Sequence, residues 1–200
     1  MKRHASRLLV SALAAAVLAE SARRARSLEV SAPEERVFRA ANDAHDGLHL
    51  PIWAVMQSGS LSSVFVTGAV LHWRKRPQAA KAAVIAGTAV WAGVKAVKPG
   101  CGRGRPDRHL ENVSVRGQPQ TGLGYPSGHA AVALTLALIA ARTDKPRIRA
   151  GAITAAGLTG AARMYVGAHL PLDIAGGFAI GVLAGQATNA VTERWSGAKR

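Results

Sequence analysis

A succession of apolar stretches, each set off from the next by basic residues, constrains this chain more than any other feature. Pro51 to Trp73 carries no charged side chain and has tryptophans near both ends, Trp53 and Trp73. Tryptophan favours the boundary between lipid and water, so this stretch reads as a membrane span. Four more follow: Ala82 to Val97, Gly128 to Ala141, Ala150 to Ala168 and Leu170 to Val191. Their polar interruptions are few, namely Lys95, His129, Arg163 and Asp173. A shorter apolar run, Leu8 to Ala19, follows Lys2, Arg3 and Arg7 and falls below the roughly 20 residues a span needs. It reads as a marginal first span or a surface helix. The expected fold is therefore all-α, a polytopic membrane bundle of five to six transmembrane helices.

Composition agrees with lipid burial. Charged residues make up 18% of the chain, against about 25% in a typical soluble domain. Ala, Val, Leu and Gly dominate, and small residues let helices approach closely in lipid. Gly177, Gly181 and Gly185 form such a ladder, read here as a packing face within one chain. The net charge of +15 raises a nucleic-acid reading. The charges fall in separate clusters between apolar stretches rather than in one patch, so no nucleic-acid partner is expected.

The clusters set a topology. Arg74, Lys75, Arg76 and Lys81 form one, Arg142, Lys145, Arg147 and Arg149 a second, and Arg194, Lys199 and Arg200 a third. If five spans alternate from residue 51, all three lie on one side, which the positive-inside rule makes cytoplasmic. Loops 98–127 and 164–170 then face outward together, at the extracytoplasmic face of the cell membrane. Arg23, Arg24 and Arg26 depart from this pattern. Three regions are expected: an N-terminal segment over 1–50, a transmembrane core over 51–192 and a basic cytoplasmic tail over 193–200.

Two polar features outside the spans have bland readings. Val37, Phe38 and Ala41 share one helical face, which fits an interfacial helix. Asp43, His45, Asp46 and His49 have the composition of a metal site, but surface residues at a membrane boundary explain them as well. No metal and no other cofactor is expected. The lone Cys101 excludes an internal disulfide and a cysteine-based zinc site.

The chemistry gathers at the outward ends of the spans. Charge in lipid is costly, so ionisable residues in or beside spans are functional candidates. Lys98 and Arg105 flank a glycine-rich loop that can fold around an anion. Ser127 precedes an apolar run as an N-cap would, which turns the free N–H of Gly128 and its neighbours toward a bound phosphate. Arg163 stands six residues before His169, and Asp173 four after it. A carboxylate one turn beyond a histidine can hold Nδ1–H and leave Nε2 as a nucleophile. Cations, two histidines and one carboxylate on one face compose an oxyanion site.

These residues also resemble a family signature, that of the type 2 phosphatidic acid phosphatase superfamily. Its three parts are Lys-x6-Arg-Pro, Pro-Ser-Gly-His and Ser-Arg-x5-His-x3-Asp. They read here as Lys98 to Pro106, Pro126 to His129, and Arg163 through His169 to Asp173. The departure is Ala162, where the pattern has serine. The resemblance implies that His169 attacks phosphorus, Asp173 orients it, and His129 protonates the leaving oxygen and then activates water. It implies that Lys98, Arg105, Arg163, Ser127 and the Gly128 N–H hold the phosphate oxygens, without a divalent cofactor.

The implied activity is hydrolysis of a lipid phosphate. Phosphatidic acid, phosphatidylglycerol phosphate, polyprenyl diphosphates and prenyl-linked phosphosugars all qualify, and no residue outside the motifs selects among them. The short loop between the first two motifs leaves little room for a cap, which favours a lipid entering sideways. Alternatives are a phosphotransferase on the same core, a vanadium haloperoxidase-like site, or a non-catalytic protein that binds anionic membrane lipids. Oligomeric state is not legible in the sequence.

Overall fold

The structure is a computed structural model. It describes the backbone of residues 2–197 and the side chains of residues 5–194. The tail residues Lys199 and Arg200 and the side chains of Lys2 and Arg3 lie outside the described residues. All regular structure among the described residues is helical: α1 (Lys2–Ala25), α2 (Ala32–Asn42), α3 (His49–Met56), α4 (Leu61–Trp73), α5 (Pro77–Val97), α6 (Gly128–Ala140), α7 (Pro146–Tyr165) and α8 (Pro171–Gly197).

Local chemistry sets where these helices begin. Proline opens α5, α7 and α8, at a position whose missing N–H costs nothing. Ser31, Ser60 and Ser127 precede α2, α4 and α6, and their hydroxyls accept from Glu34, Ser63 and Ala130 N–H. Each such cap contributes about 1 kcal/mol.

The short α6 is the hub. It packs against α4, α5, α7 and α8, and its residues Ala130 to Ala137 are all buried. The glycine ladder explains how α8 comes so close. A Cβ at Gly177 would lie 2.5 Å from the Ser127 carbonyl oxygen, and one at Gly181 would lie 2.8 Å from that of Ala131. The ladder therefore works within one chain. α1 packs along α8.

Among the described residues, three segments are long and apolar enough to cross a membrane: Ala5–Ala25, Pro77–Gly100 and Pro171–Arg194. The first settles the marginal N-terminal run as one helix of full spanning length. The segment expected as one span from Pro51 to Trp73 is instead two helices meeting at a 71° bend, and together they have the length and apolar content of one broken span. The physical cause is the polar quartet Gln57-Ser58-Gly59-Ser60, in which the Ser60 side chain caps a new helix. Neither α6 nor α7, also expected as spans, is both long and apolar enough to cross a membrane by itself. α6 has protein on all sides and need not match the bilayer itself. α7 carries Arg147, Arg149 and Arg163. The chain is a multi-pass membrane protein, but not every helix of the bundle is a lipid-facing span.

The bundle has two chemically different ends. At one, Arg76 lies 3.5 Å from Asp144, Arg142 lies 3.0 Å from Glu193, and Arg7 pairs with the same Glu193. The loops after α4 and α6, the first turns of α1 at Arg7 and the stretch of α8 at Glu193 therefore meet there. The opposite end receives the C-termini of α5 and α7 and the N-termini of α6 and α8. There Arg23 and Arg24 both pair with Glu20, so part of the charge that departed from the basic pattern is neutralised locally.

Candidate active site

Every motif residue is carried to this second end by a helix terminus or the loop beside it. Lys98 ends α5, and its ammonium donates to the carbonyls of Leu123 and Gly124 at 2.9 and 2.8 Å. Lysine has three donors, so one stays free for an anion. Ser127 is fully buried, and its N–H donates to the Asp173 carbonyl at 2.9 Å, which ties the start of α6 to the start of α8. His129 is half-buried on the first turn of α6. The turn at Gly59 lies against its backbone, where an added Cβ would be 2.3 Å from the His129 carbonyl oxygen.

His169 sits in the loop between α7 and α8 and is 2% exposed. Its Nε2 lies 3.0 Å from Arg105 Nη1, and its Nδ1 lies 3.3 Å from Asp173 Oδ2. Arginine has only donors, so the ring nitrogen nearest to it must be the acceptor. The imidazole proton then belongs on Nδ1, facing the carboxylate, and Nε2 keeps its lone pair. Burial, reinforced by Arg163, Arg105, Lys98 and His129, pushes the His169 pKa well below its usual 6.5. The imidazole is therefore neutral, as a nucleophile requires.

Asp173 is fully buried and well held. Its Oδ2 accepts the Leu170 N–H at 3.0 Å. Gly124 crosses directly over it, since a Cβ there would meet Asp173 Oδ2 at 2.8 Å and the Gly104 carbonyl at 2.6 Å. Only glycine fits between the two loops.

Arg105 and Arg163 complete the cationic wall. Arg105 donates to the Ala168 carbonyl at 2.7 Å, and Arg163 reaches Met56 Sδ at 3.1 Å and Gln120 Oε1 at 3.5 Å. The Nε–H of each is buried with no acceptor among the protein atoms. A buried donor without a partner costs roughly 1–3 kcal/mol, which an acceptor within its reach would offset. The eight residues expected from sequence thus gather at one place.

Residues 78–196 match the PAP2 superfamily. The chain belongs to the PAP2 superfamily. The match spans α5 to α8, the helices and loops that carry every motif residue. Among solved structures, the chain is similar to LpxE of Aquifex aeolicus, with 29% identity and a TM-score of 0.74, covering 81% of this chain and 98% of that one. It also shares its fold with the first transmembrane PAP2 type phosphatidylglycerolphosphate phosphatase from Bacillus subtilis, at 20% identity and a TM-score of 0.71, covering 90% and 96% of the two chains. No curated protein sequence matches it.

Several features of this PAP2 site were not legible in the motifs. Arg103, in the loop between Lys98 and Arg105, is 0% exposed and paired with Glu34 of α2. Asn42, at the other end of α2, is equally buried and ties Ser114 to the Met164 and Tyr165 carbonyls. Tyr165 is a structural residue: its hydroxyl donates to the His45 carbonyl at 3.1 Å, and Arg116 covers its ring at 4.2 Å. Tyr125 likewise bonds Ser21 and Leu18 of α1. The polar group Asp43, His45, Asp46 and His49 does not converge: His45 accepts from Gly47 N–H and Asp46 pairs with Arg116. Among the described residues, no three His, Cys, Asp or Glu side chains are placed to share a metal ion. Ala162, the departure from the family pattern, is buried among Met56, Tyr165, Val166 and Ala168.

Proposed function

We propose that this protein is an integral membrane lipid phosphatase that cleaves a phosphomonoester or diphosphate of a phospholipid or polyprenyl lipid through a phosphohistidine at His169. The observation that carries the reading is the line Arg105, His169, Asp173, with an acceptor nitrogen on one side of the ring and a carboxylate on the other. The lone pair of His169 Nε2 attacks phosphorus, and the bond to the lipid oxygen breaks. His129 donates the proton that oxygen needs. In the second step His129 takes a proton from water, the water oxygen attacks phosphorus, and the P–N bond breaks to release phosphate. Lys98, Arg105, Arg163, Ser127 and the Gly128 N–H hold the equatorial oxygens, where charge grows in each transition state. These cations occupy the role that metal ions play in other phosphatases, so no step calls for a divalent cofactor.

A lipid substrate is supported by the site's surroundings. An apolar groove of about 750 Å³ runs between α1, α5 and α8, lined by Leu18, Ala22, Ala89, Val94 and Ile180. Its rim includes Gly100, Cys101 and Pro126, which belong to the first two motif segments. A hydrocarbon chain lying there would place a headgroup beside the cations.

The extracytoplasmic location is supported by the bundle's polarity, with the basic loops at Arg74–Arg76 and Arg142 meeting at the end opposite the site. In a Cys101→Ser background, an impermeant maleimide added to intact cells should label Gln118→Cys and spare Lys75→Cys. The reverse pattern would place the site in the cytoplasm.

The activity test is phosphate release by purified protein in detergent from phosphatidic acid, phosphatidylglycerol phosphate and a polyprenyl diphosphate. Release from at least one of them, with water as the acceptor in product analysis, supports the hydrolase. Transfer of the phosphate to an added alcohol in place of water would make the protein a transferase.

A further inference from the structure

Glu34 lies outside all three motifs and Arg103 occupies a variable position of the first, yet their ion pair reaches the centre of the site. Arg103 Nη1 and Nη2 donate to Glu34 Oε1 and Oε2 at 2.9 and 2.8 Å. The same Nη1 lies 3.4 Å from Asp173 Oδ1. Asp173 turns its other oxygen, Oδ2, to His169 Nδ1 at 3.3 Å. Glu34 Oε1 also accepts the Leu172 N–H at 3.1 Å, one of the unpaired donors at the start of α8. Four side chains therefore form one buried line, Glu34 to Arg103 to Asp173 to His169, with side-chain exposures of 5%, 0%, 0% and 3%.

A guanidinium facing two carboxylates binds best the one it meets in a two-pronged fork. Here that one is Glu34, which leaves Asp173 a single longer contact. Without Glu34, the fork of Arg103 is free to turn onto Asp173 and draw the carboxylate away from the imidazole. Without Arg103, Asp173 loses the cation that fixes Oδ1 and with it the orientation of Oδ2. We propose that Glu34 and Arg103 are a positioning pair for this site. Glu34 restrains Arg103, and Arg103 holds Asp173 in the one rotation that keeps the His169 proton on Nδ1. The inference rests on His169 being the nucleophile, as proposed above. Because neither residue hydrogen-bonds to the proposed phosphate-holding cations, the effect belongs in the chemical step and not in phosphate affinity.

The competing explanation is a purely structural tie of α2 to α8. Two variants separate the readings. Glu34→Gln keeps the shape and the acceptor for Leu172 but removes one charge. Glu34→Gln combined with Arg103→Met removes both charges of the ion pair, so neither of these two partners is left buried without the other, while Asp173 loses its cation. The direct readout is ¹⁵N NMR of histidine-labelled full-length protein in detergent, with the His169 signal identified by its loss in His169→Gln. The wild type should show His169 protonated at Nδ1, and both variants should show a mixture of tautomers. On a lipid phosphate that the wild type hydrolyses, kcat should fall about ten- to hundredfold in both, with KM and the inhibition constant of inorganic phosphate unchanged. Restored thermal stability with kcat still low in the double variant would mark a positioning role. An unchanged His169 tautomer in both variants, or kcat that returns with stability, would overturn the proposal. A wild type that hydrolyses none of the lipids would instead overturn the phosphatase reading, while the tautomer result would still decide the role of the pair.

Discussion

His169 and Asp173 lie one helical turn apart across the entry to α8, with Nδ1 and Oδ2 separated by 3.3 Å and both side chains buried. The i,i+4 spacing puts the carboxylate on the same face as the histidine, and Leu170 N–H fixes its rotation. Asp173→Asn keeps the shape but offers an amide where Nδ1–H needs an anion. The expected result is a fall in kcat on the order of 10³- to 10⁴-fold, the scale seen when a histidine is left in the wrong tautomer. Steady-state kinetics on the preferred lipid check this, and a loss under about tenfold would contradict the role given to Asp173.

Arg163 is 3% exposed, and its Nε–H has no acceptor among the protein atoms. Arg163→Lys retains charge but loses the planar fork that matches two phosphate oxygens. A fall of about 10²- to 10³-fold in kcat/KM is expected, together with weaker inhibition by inorganic phosphate. Unchanged phosphate inhibition would mean that Arg163 does not hold the anion.

The buried neutral state of His169 also carries a stability signature. Burial, with the cations Arg163, Arg105 and Lys98 and nearby His129, holds the folded-state pKa below 6.5, whereas an unfolded imidazole binds a proton near 6.5. Below pH 6.5 the unfolded chain therefore takes up a proton that the folded site refuses. Stability from this group is complete above pH 6.5 and is lost as pH falls below it, by up to about 1.4 kcal/mol per pH unit. Thermal midpoints between pH 8 and pH 5 should fall less steeply in His169→Gln than in the wild type. Parallel slopes would contradict a neutral, buried His169.

Helix packing and catalysis should separate along the α8 ladder. At Gly177 an added Cβ would strike the Ser127 carbonyl at 2.5 Å, whereas at Gly185 it would meet only the Leu138 side chain, at 2.9 Å. Gly177→Ala should lower both thermal stability and activity, because the backbone that caps α6 at the site must move. Gly185→Ala should cost roughly 1–3 kcal/mol of stability at most and leave kcat unchanged. Equal effects on kcat would break the link between Gly177 and the site.

How much of this was legible depends on how far apart in the chain the partners lie. The motif residues are local in pattern: Ser127 before an apolar run, and His169 with Asp173 four positions on at the entry to a helix, declare their geometry through short-range spacing. The glycine ladder on α8 is legible for the same reason. The bend at 57–60 was also visible, because Gln57-Ser58-Gly59-Ser60 is a break and cap, but the absence of charge from Pro51 to Trp73 masked it. The number of spans is not fixed by the sequence, because apolar content does not distinguish a helix buried in protein, as α6 is, from one buried in lipid. Glu34 and Arg103 were the least legible. Each looks like an ordinary surface charge among other charges, and only the fold brings α2 across 69 positions to meet the first motif loop.

The most direct measurement is phosphate release from the preferred lipid in excess EDTA by the wild type and by His169→Ala, with acid-labile phosphate on the protein quantified after rapid quenching. The expected result is full wild-type activity in EDTA, a transient phosphoenzyme that maps to His169, and neither activity nor phosphoenzyme in the variant. Activity abolished by EDTA, or phosphate release that survives in His169→Ala, would contradict a metal-independent phosphohistidine mechanism.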